Sequence, residues 1–267
     1  MDAEPTGQTK ETQIDGMHNF ICNICGSPCA SESLDREIPS CSSCGSNARF
    51  RWIVNALSAG LFGESLILKD FPRRKQLRGL GMSDPLPIAE ILAKKFDYRN
   101  TCYHREPRFD IMEAAGEAEY DFIIASEVFE HVRPPVQRAF DNLARLLKPG
   151  GFAVFSTPWE SDGDTVEHFP GLHDWQLVHL NSGYVLLNRN PDGKLETFED
   201  LNFHGGPGSI LEMRVFSESG LIANCRAAGF GDVEFGDDNP NYGIVWEPWS
   251  RGMLLRKSMY TEDRRES

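Results

Sequence analysis

YDFIIASEVFEHV, Tyr120 to Val132, decides the fold. Its first half contains Phe122-Ile123-Ile124-Ala125, a short apolar run without alternation, the pattern of a strand buried on both faces. Its second half turns abruptly acidic. Downstream, PPVQRAFDNLARLL (134–147) carries Val136, Phe140, Leu143 and Leu147 at helical spacing, with proline at its start. Lys148-Pro149-Gly150-Gly151 stops that helix, and FAVFSTP (152–158) reads as the next strand. Upstream, LRGLGMSD (77–84) is a strand entering a glycine-containing turn. PIAEILAKKF (87–96) is a helix with Ile88, Ile91, Leu92 and Phe96 near one face, and NTCYH (100–104) is a second strand. Farther on, FSESGLIANCRAAGF (216–230) is a helix with Ser217 as N-cap and Gly229 as stop, and GIVW (243–246) and GMLLRK (252–257) are closing strands. Alternating strands and helices predict an α/β, Rossmann-like fold: a mostly parallel sheet with helices on both faces. Ligands on such sheets bind beyond the carboxyl ends of the strands.

The N-terminal part follows other rules. Residues 1–17 are polar and expected to be disordered. Cys22, Cys25, Cys41 and Cys44 form C-x2-C-x15-C-x2-C, and glycine follows each pair. Two knuckles at this spacing bring four thiolates around one tetrahedral zinc. Four protein ligands close the site, so the zinc would be structural. Cys29 is a spare thiol that could stand in as a ligand, and Cys102 and Cys225 read as core. The domain plan is a tail (1–17), a small zinc-binding module (18–50) and a large domain (51–267) with an insertion at about 159–210. RWIVNALSAGLF (51–62) opens the large domain as a helix that packs the module down or presents it to a partner.

Composition is that of a globular protein, 40% apolar and 25% charged, with no apolar run of membrane-spanning length and no signal peptide. A cytoplasmic location is expected. The net charge of −13 disfavours nucleic acid as the partner. Between Gly45 and Asp110, however, 12 Lys/Arg stand against 7 Asp/Glu. That local excess is either solvated surface or the bed of an anionic substrate.

Taken together, YDFIIASEVFEHV, LARLLKPGGFAVFSTP and RVFSESGLIANCRAAGF resemble the class I S-adenosylmethionine-dependent methyltransferases of the type-11 group, over roughly residues 75–257. DFPRRKQLRGLGMSD, KFDYRNTCYHREPRFDI and FHGGPGSILEMRVFS are similar to a bacterial subgroup often encoded beside glycosyltransferases. The resemblance implies S-adenosylmethionine as cofactor. It implies Gly79 and Gly81 in the cofactor loop, Glu106 on the ribose, Asp110 at the adenine amino group and Glu127 lining the pocket. The chain departs from the family's acid-then-GxGxG pattern: Leu77 replaces the acid and Ser83 the third glycine. Asp84 could replace the missing carboxylate against the methionine ammonium group. The acceptor this implies is a hydroxyl of a sugar or glycan precursor. RNA or protein methylation, with the zinc module reading the substrate, is the alternative. A non-catalytic binding protein on the same fold is a third option.

In SEVFEHV, Glu127, Glu130 and His131 stand at i, i+3 and i+4, one face of a helix if a helix forms there. Three roles compete. The acids simply begin a helix; His131 is a general base for an acceptor hydroxyl; or Glu127, Glu130 and His131 hold a divalent cation such as magnesium, since ExxEH resembles the metal motif of some O-methyltransferases. The insertion adds His173 and His204 as further base or ligand candidates. It also adds a hairpin through YVLLNRNPDGKLETF, and Trp159, Trp175 and Tyr184 as possible sugar-stacking rings, with core packing the better expectation for most of them.

Overall fold

The structure is a computed structural model that describes residues 16–247 and 251–259. Apart from Gly16 and Met17, the tail expected to be disordered lies outside the described residues.

In chain order the elements are β1 (His18–Ile21), β2 (Pro28–Ser31), α1 (Ala48–Phe62), β3 (Arg78–Met82), α2 (Leu86–Lys95), β4 (Asp97–Thr101), β5 (Tyr120–Ser126), α3 (Gln137–Leu146) and β6 (Leu147–Ser156). The insertion supplies β7 (Trp159–Glu160), β8 (Val166–Glu167), β9 (Asp174–Leu180), β10 (Gly183–Arg189), β11 (Leu195–Phe198), β12 (Phe203–His204) and β13 (Ile210–Leu211). β14 (Arg214–Ser217), α4 (Glu218–Ala227), β15 (Phe230–Phe235) and β16 (Met253–Lys257) follow.

The central sheet has the order β15-β16-β6-β5-β3-β4. β3 pairs in parallel with both β4 and β5, and β5 with β6; β16 runs antiparallel between β6 and β15. Strand order reverses at β3 and β5, so the crevice at their carboxyl ends is the place where such a sheet binds ligands. The period-2 geometry of the strands divides the core in two. Phe122, Ile124, Phe152 and Val154 pack with α1 and α2, while Ile123, Ala125, Ala153 and Phe155 pack with α3 and α4. The expectation of a mostly parallel sheet covered on both faces is met.

Caps fix the helix ends. Asn47 accepts from Phe50 N at the start of α1, and Gly63 ends it in the left-handed region (φ 73°). Ser217 accepts from Gly220 N at α4, as its sequence predicts. In the basic run, Lys75 Nζ donates to the carbonyls of Ala93 and Phe96 (2.6 and 2.8 Å) and Lys95 Nζ to that of Lys69 (2.8 Å). These cations close the C-terminal end of α2, at the rim opposite the crevice. This part of the basic excess is therefore not a substrate bed. No helix among the described residues is long and apolar enough to cross a membrane.

Four sequence expectations need correction. The second strand is Asp97–Thr101, not 100–104, because the chain must pair with β3 as soon as α2 ends. GIVW is not a strand: Ile244 makes one isolated bridge to Asn239, and its burial and that of Trp246 come from packing against α1 and the N-terminal module. The missing closing strand is Phe230–Phe235, whose largely exposed outer-strand residues hid it. The helix after SEVFEHV starts only at Gln137; Phe129–His131 is a single 3-10 turn, so Glu127, Glu130 and His131 do not share a helix face. Pro134 and Pro135 delay the helix, since the residue before a proline avoids the helical region.

The N-terminal module is continuous with the main core. Phe20, Cys22, Ile24, Cys29 and Cys41 belong to one apolar cluster with Trp52, Phe122 and Trp246. The insertion folds as the antiparallel sheet β9-β10-β11 over a small core of Phe169, Leu186, Leu211 and Met213. Its β10–β11 hairpin turns at Asn190–Gly193 as expected, with Gly193 at φ 83°.

Candidate active site

The carboxyl end of β3 carries the first group. Ser83 has φ 67°, so a serine holds the left-handed turn where glycine would be free of strain. That turn drives Asp84 inward to 6% exposure, where its carboxylate accepts from Tyr98 Oη and its backbone N–H donates to Asn100 Oδ1 (3.0 Å). Burial pushes the Asp84 carboxyl up to about 7, against the lowering effect of the Tyr98 hydrogen bond and the Arg49 charge. Gly79 and Gly81 lie inside β3 rather than in the loop. A Cβ on Gly79 would strike the Phe122 ring, and one on Gly81 would strike Tyr98 Oη and Asp84 Oδ2. Their smallness serves this buried constellation.

A stability consequence follows from the raised Asp84. Its carboxyl titrates near 3.8 when unfolded and near 7 when folded, so its contribution is fully present below pH 4 and lost as pH rises through 7. Asp84→Asn is therefore expected to stabilise the ligand-free protein at pH 8, by up to about 4 kcal/mol, and to change little at pH 4. Denaturant midpoints at the two pH values measure this; equal shifts at both would refute it.

The ends of β5 and β6 carry the second group. Glu127 follows β5 with φ 56°, and its N–H bonds Ser156 O (2.8 Å). Ser156 Oγ donates to Glu127 Oε1 (2.8 Å), and Arg36 of the N-terminal module grips both carboxylate oxygens. Although burial opposes ionisation, the Arg36 charge holds the Glu127 carboxyl below its usual range. Three residues on, Glu130 is fully buried. Thr157 Oγ1 donates to its Oε2 (3.0 Å), while Oε1 has no hydrogen-bond partner. Burial first, and the Glu127 charge second, raise its carboxyl to about 8.

His131 and the insertion complete the cluster. His131 Nδ1 lies 2.9 Å from Leu211 O, a carbonyl that can only accept, so the proton sits on Nδ1 and Nε2 keeps a free lone pair 3.6 Å from Glu130 Oε1. Burial keeps the ring neutral by lowering its pKa. The His204 ring stands edge-on to it at 4.7 Å. Glu212 accepts from His204 Nε2 (2.8 Å), His168 Nε2 (3.0 Å) and Asn202 Nδ2 (2.7 Å). The insertion is pinned here by Met213 N on Glu130 O (2.7 Å) and by buried Arg214, which bonds Glu167 Oε1 and Phe129 O (2.6 Å each).

Ligand atoms of Glu130, His131 and His204 lie within 4.8 Å of one another. This is two-thirds of the expected divalent set: Glu127 is spoken for by Arg36, and His204 takes its place. The orphaned Glu130 Oε1 and the carboxylate behind His204 suit a cation, since ligating imidazoles are oriented by such partners. His173 does not join them; it is exposed ahead of β9. Glu106 is exposed beyond β4 and accepts from Arg108 N (3.0 Å), while Asp110 caps the turn Ile111–Glu113 through Met112 N (2.8 Å). Trp159 is core, packed on Phe235, and Tyr184 stacks on His179; Trp175 stays exposed.

In the module, Sγ atoms of Cys22, Cys25, Cys41 and Cys44 cluster within 4.8 Å. Cys22–Cys44 and Cys25–Cys41 are each 3.7 Å apart. A tetrahedron with metal–sulfur bonds of ~2.3 Å has edges of about 3.8 Å, so the set fits zinc. The knuckles are formed by Gly26 N on Cys22 O (2.7 Å) and Gly45 N on Cys41 O (2.8 Å). Burial opposes ionisation of Cys41, but the N–H groups of Cys44 and Ser43 outweigh it and bring the thiol to about 6. Cys29 stands outside the four, its thiol donating to Cys41 Sγ (3.4 Å).

Arg36, Tyr98, Thr157 and Glu212 are candidate-site residues that the sequence did not single out. No local pattern marks them.

The family model described as a methyltransferase domain matches residues 65–234. No curated protein matches the chain. Among solved structures, the chain is similar to 1,6-didemethyltoxoflavin-N1-methyltransferase of Burkholderia thailandensis, 20% identical with TM-score 0.44 over 79% of each chain. It is similar also to the sugar N-methyltransferase KedS8 of Streptoalloteichus sp. (13%, TM-score 0.44, 79% of this chain and 87% of that one). A third is DesVI of Streptomyces venezuelae (16%, TM-score 0.41, 79% and 94%). The chain thus belongs to the methyltransferase-domain family and is an S-adenosylmethionine-dependent methyltransferase.

Proposed function

We propose that the enzyme methylates a hydroxyl group on a sugar or glycan precursor, using a zinc-stabilised N-terminal module as part of its scaffold. The observation that carries this is the neutral His131, whose free Nε2 faces the orphaned Glu130 carboxyl beside the crevice of β3 and β5. A sulfonium methyl is already activated, and an amine acceptor needs little help. A hydroxyl must lose its proton as it attacks, and a positioned base contributes about 10²–10⁴-fold. In this reaction the acceptor oxygen bonds the methyl carbon and the carbon–sulfur bond breaks. His131 Nε2 takes the hydroxyl proton, and S-adenosylhomocysteine leaves. Asp84 would meet the ammonium group of the cofactor's methionine, and Glu127 would line its pocket. The sequence likeness to the glycosyltransferase-associated subgroup supports the sugar.

A second reading gives Glu130, His131 and His204 a divalent cation, on the strength of their convergence. Bound there, it would act as a Lewis acid on the acceptor oxygen.

The test is transfer of labelled methyl from S-adenosylmethionine to a panel of nucleotide sugars, oligosaccharides, RNA and protein. Label on saccharide hydroxyls is the expected result. Label on RNA or protein with none on any saccharide would overturn it.

A further inference from the structure

Arg36 reaches from the cysteine module into the crevice 91 residues away in the chain. Its Nη1 lies 3.1 Å from Glu127 Oε2 and its Nη2 on Oε1, with only 12% and 19% of the two side chains exposed. The loop that carries it, between Cys29 and Cys41, is shaped by short turns: Asp35 N on Ser33 Oγ (3.1 Å) and Glu37 N on Asp35 Oδ1 (2.8 Å). Arg49, in the first turn of α1, fastens the same loop. It holds Glu37 through Nε (2.7 Å) and Nη2 (2.8 Å) and reaches Ser126 Oγ with Nη1 (2.8 Å). Two arginines thus sew the module's arm to the end of β5, and the arm is rooted in the thiolate cluster at Cys41 and beside it at Cys29, whose thiol donates to Cys41 Sγ.

Glu127 is the residue that this stitching fixes. A non-glycine residue held in the left-handed region is strained and persists only where its surroundings over-determine it. Arg36 on one side and Ser156 on the other supply that constraint.

We propose that Arg36 is a positioning residue for the cofactor: it holds Glu127 in its left-handed orientation, so that filling the zinc site and binding the cofactor reinforce one another. This rests on the methyl-transfer reading, in which Glu127 lines the cofactor pocket. Coupling between two sites is reciprocal. The cofactor product therefore binds more tightly to the zinc-loaded protein, and zinc leaves more slowly from the product-bound protein.

The experiment uses full-length, zinc-loaded protein and S-adenosylhomocysteine as probe. Calorimetry is run on the wild type, Arg36→Ala, Arg36→Lys and Arg256→Ala, the last removing an ion pair with Glu234 at the far edge of the sheet. Zinc content is measured on each. Loss of a charge-assisted pair predicts about tenfold to a hundredfold weaker binding in Arg36→Ala. Zinc should stay at one per chain, Arg36→Lys should recover part of the affinity, and Arg256→Ala should match the wild type. In a second arm, zinc release to a chromophoric chelator should slow on adding S-adenosylhomocysteine to the wild type and not to Arg36→Ala. Arg36→Ala binding as tightly as wild type would overturn the inference and leave the methyl-transfer reading standing. A release rate indifferent to S-adenosylhomocysteine in the wild type would overturn the coupling. A wild type that binds no S-adenosylhomocysteine would overturn both together.

Discussion

Cys41→Ser protein is expected to carry no zinc and to lose more stability than any other single change proposed here. Cys41 is 3% exposed and stands 3.7 Å from Cys25 in the cluster that fits a tetrahedral ion. A structural zinc held by small domains supplies on the order of 10 kcal/mol of apparent folding energy, comparable to the whole stability of a typical protein. The consequences extend beyond the module. Arg51 is fully buried, yet its guanidinium bonds only neutral acceptors: Ser46 O (2.9 Å), Ser40 Oγ (2.9 Å) and Gly243 O (2.7 Å). Burial lowers its pKa and the charges of Cys22, Cys41, Cys29 and Cys44 oppose that fall, so the cysteine cluster is its counter-charge. Four thiolates around one divalent ion leave a net charge of −2, which answers the cation. An emptied site with protonated thiols would leave Arg51 uncompensated, at a further cost of about 3–5 kcal/mol. We expect the thermal midpoint to fall by ~10 °C or more. Cys29→Ser is the contrast. Its thiol donates to Cys41 Sγ and to Ser27 O without joining the four, so zinc should be kept and the cost held to about 1 kcal/mol. Zinc per chain and unfolding midpoint measure both variants. Full zinc and wild-type stability in Cys41→Ser would refute four-cysteine ligation.

The strands that sequence reveals are those buried on two faces. Phe122 to Ala125 has no polar position to hide behind, and Phe152 to Phe155 repeats the pattern. Phe230–Phe235 escapes because it is the outer strand, where most side chains meet solvent. GIVW misleads for the opposite reason: Ile244 is buried and Trp246 meets Trp52 edge-on at 5.4 Å, so it is apolar without being a strand. The site divides in the same way. Cys22 to Cys44 and Glu130-His131 are legible, because chemistry places those residue types at short fixed spacings. Arg36 with Glu127 and Arg49 with Ser126 pair across 91 and 77 residues, which only the fold brings together. Glu127 shows the limit of periodicity most clearly. Spacing put it with Glu130 and His131, but a positive φ turns it to the module instead.

His131→Ala is expected to lower the rate of methyl transfer by about 10²–10⁴-fold while leaving S-adenosylhomocysteine affinity close to that of the wild type, since in both proposed readings the imidazole would act on the acceptor, through its proton or its oxygen. The size of the loss does not say which; His204 does. If His131 is a base, His204 touches only its ring edge, and His204→Ala should cost about tenfold or less. If Glu130, His131 and His204 hold a cation, each is an equal partner. His204→Ala should then cost as much as His131→Ala, and the double variant should be little worse than either, since residues that act as one unit are not additive. Glu212 sharpens the distinction. Its carboxylate holds His204 Nε2–H, which leaves Nδ1 free to ligate, so Glu212→Gln should follow His204→Ala under the cation reading. Added magnesium or manganese should raise wild-type turnover in that case and leave His131→Ala unmoved. Turnover by His131→Ala equal to that of the wild type would remove both roles. SEVFEHV would then be only the turn between a buried strand and a delayed helix.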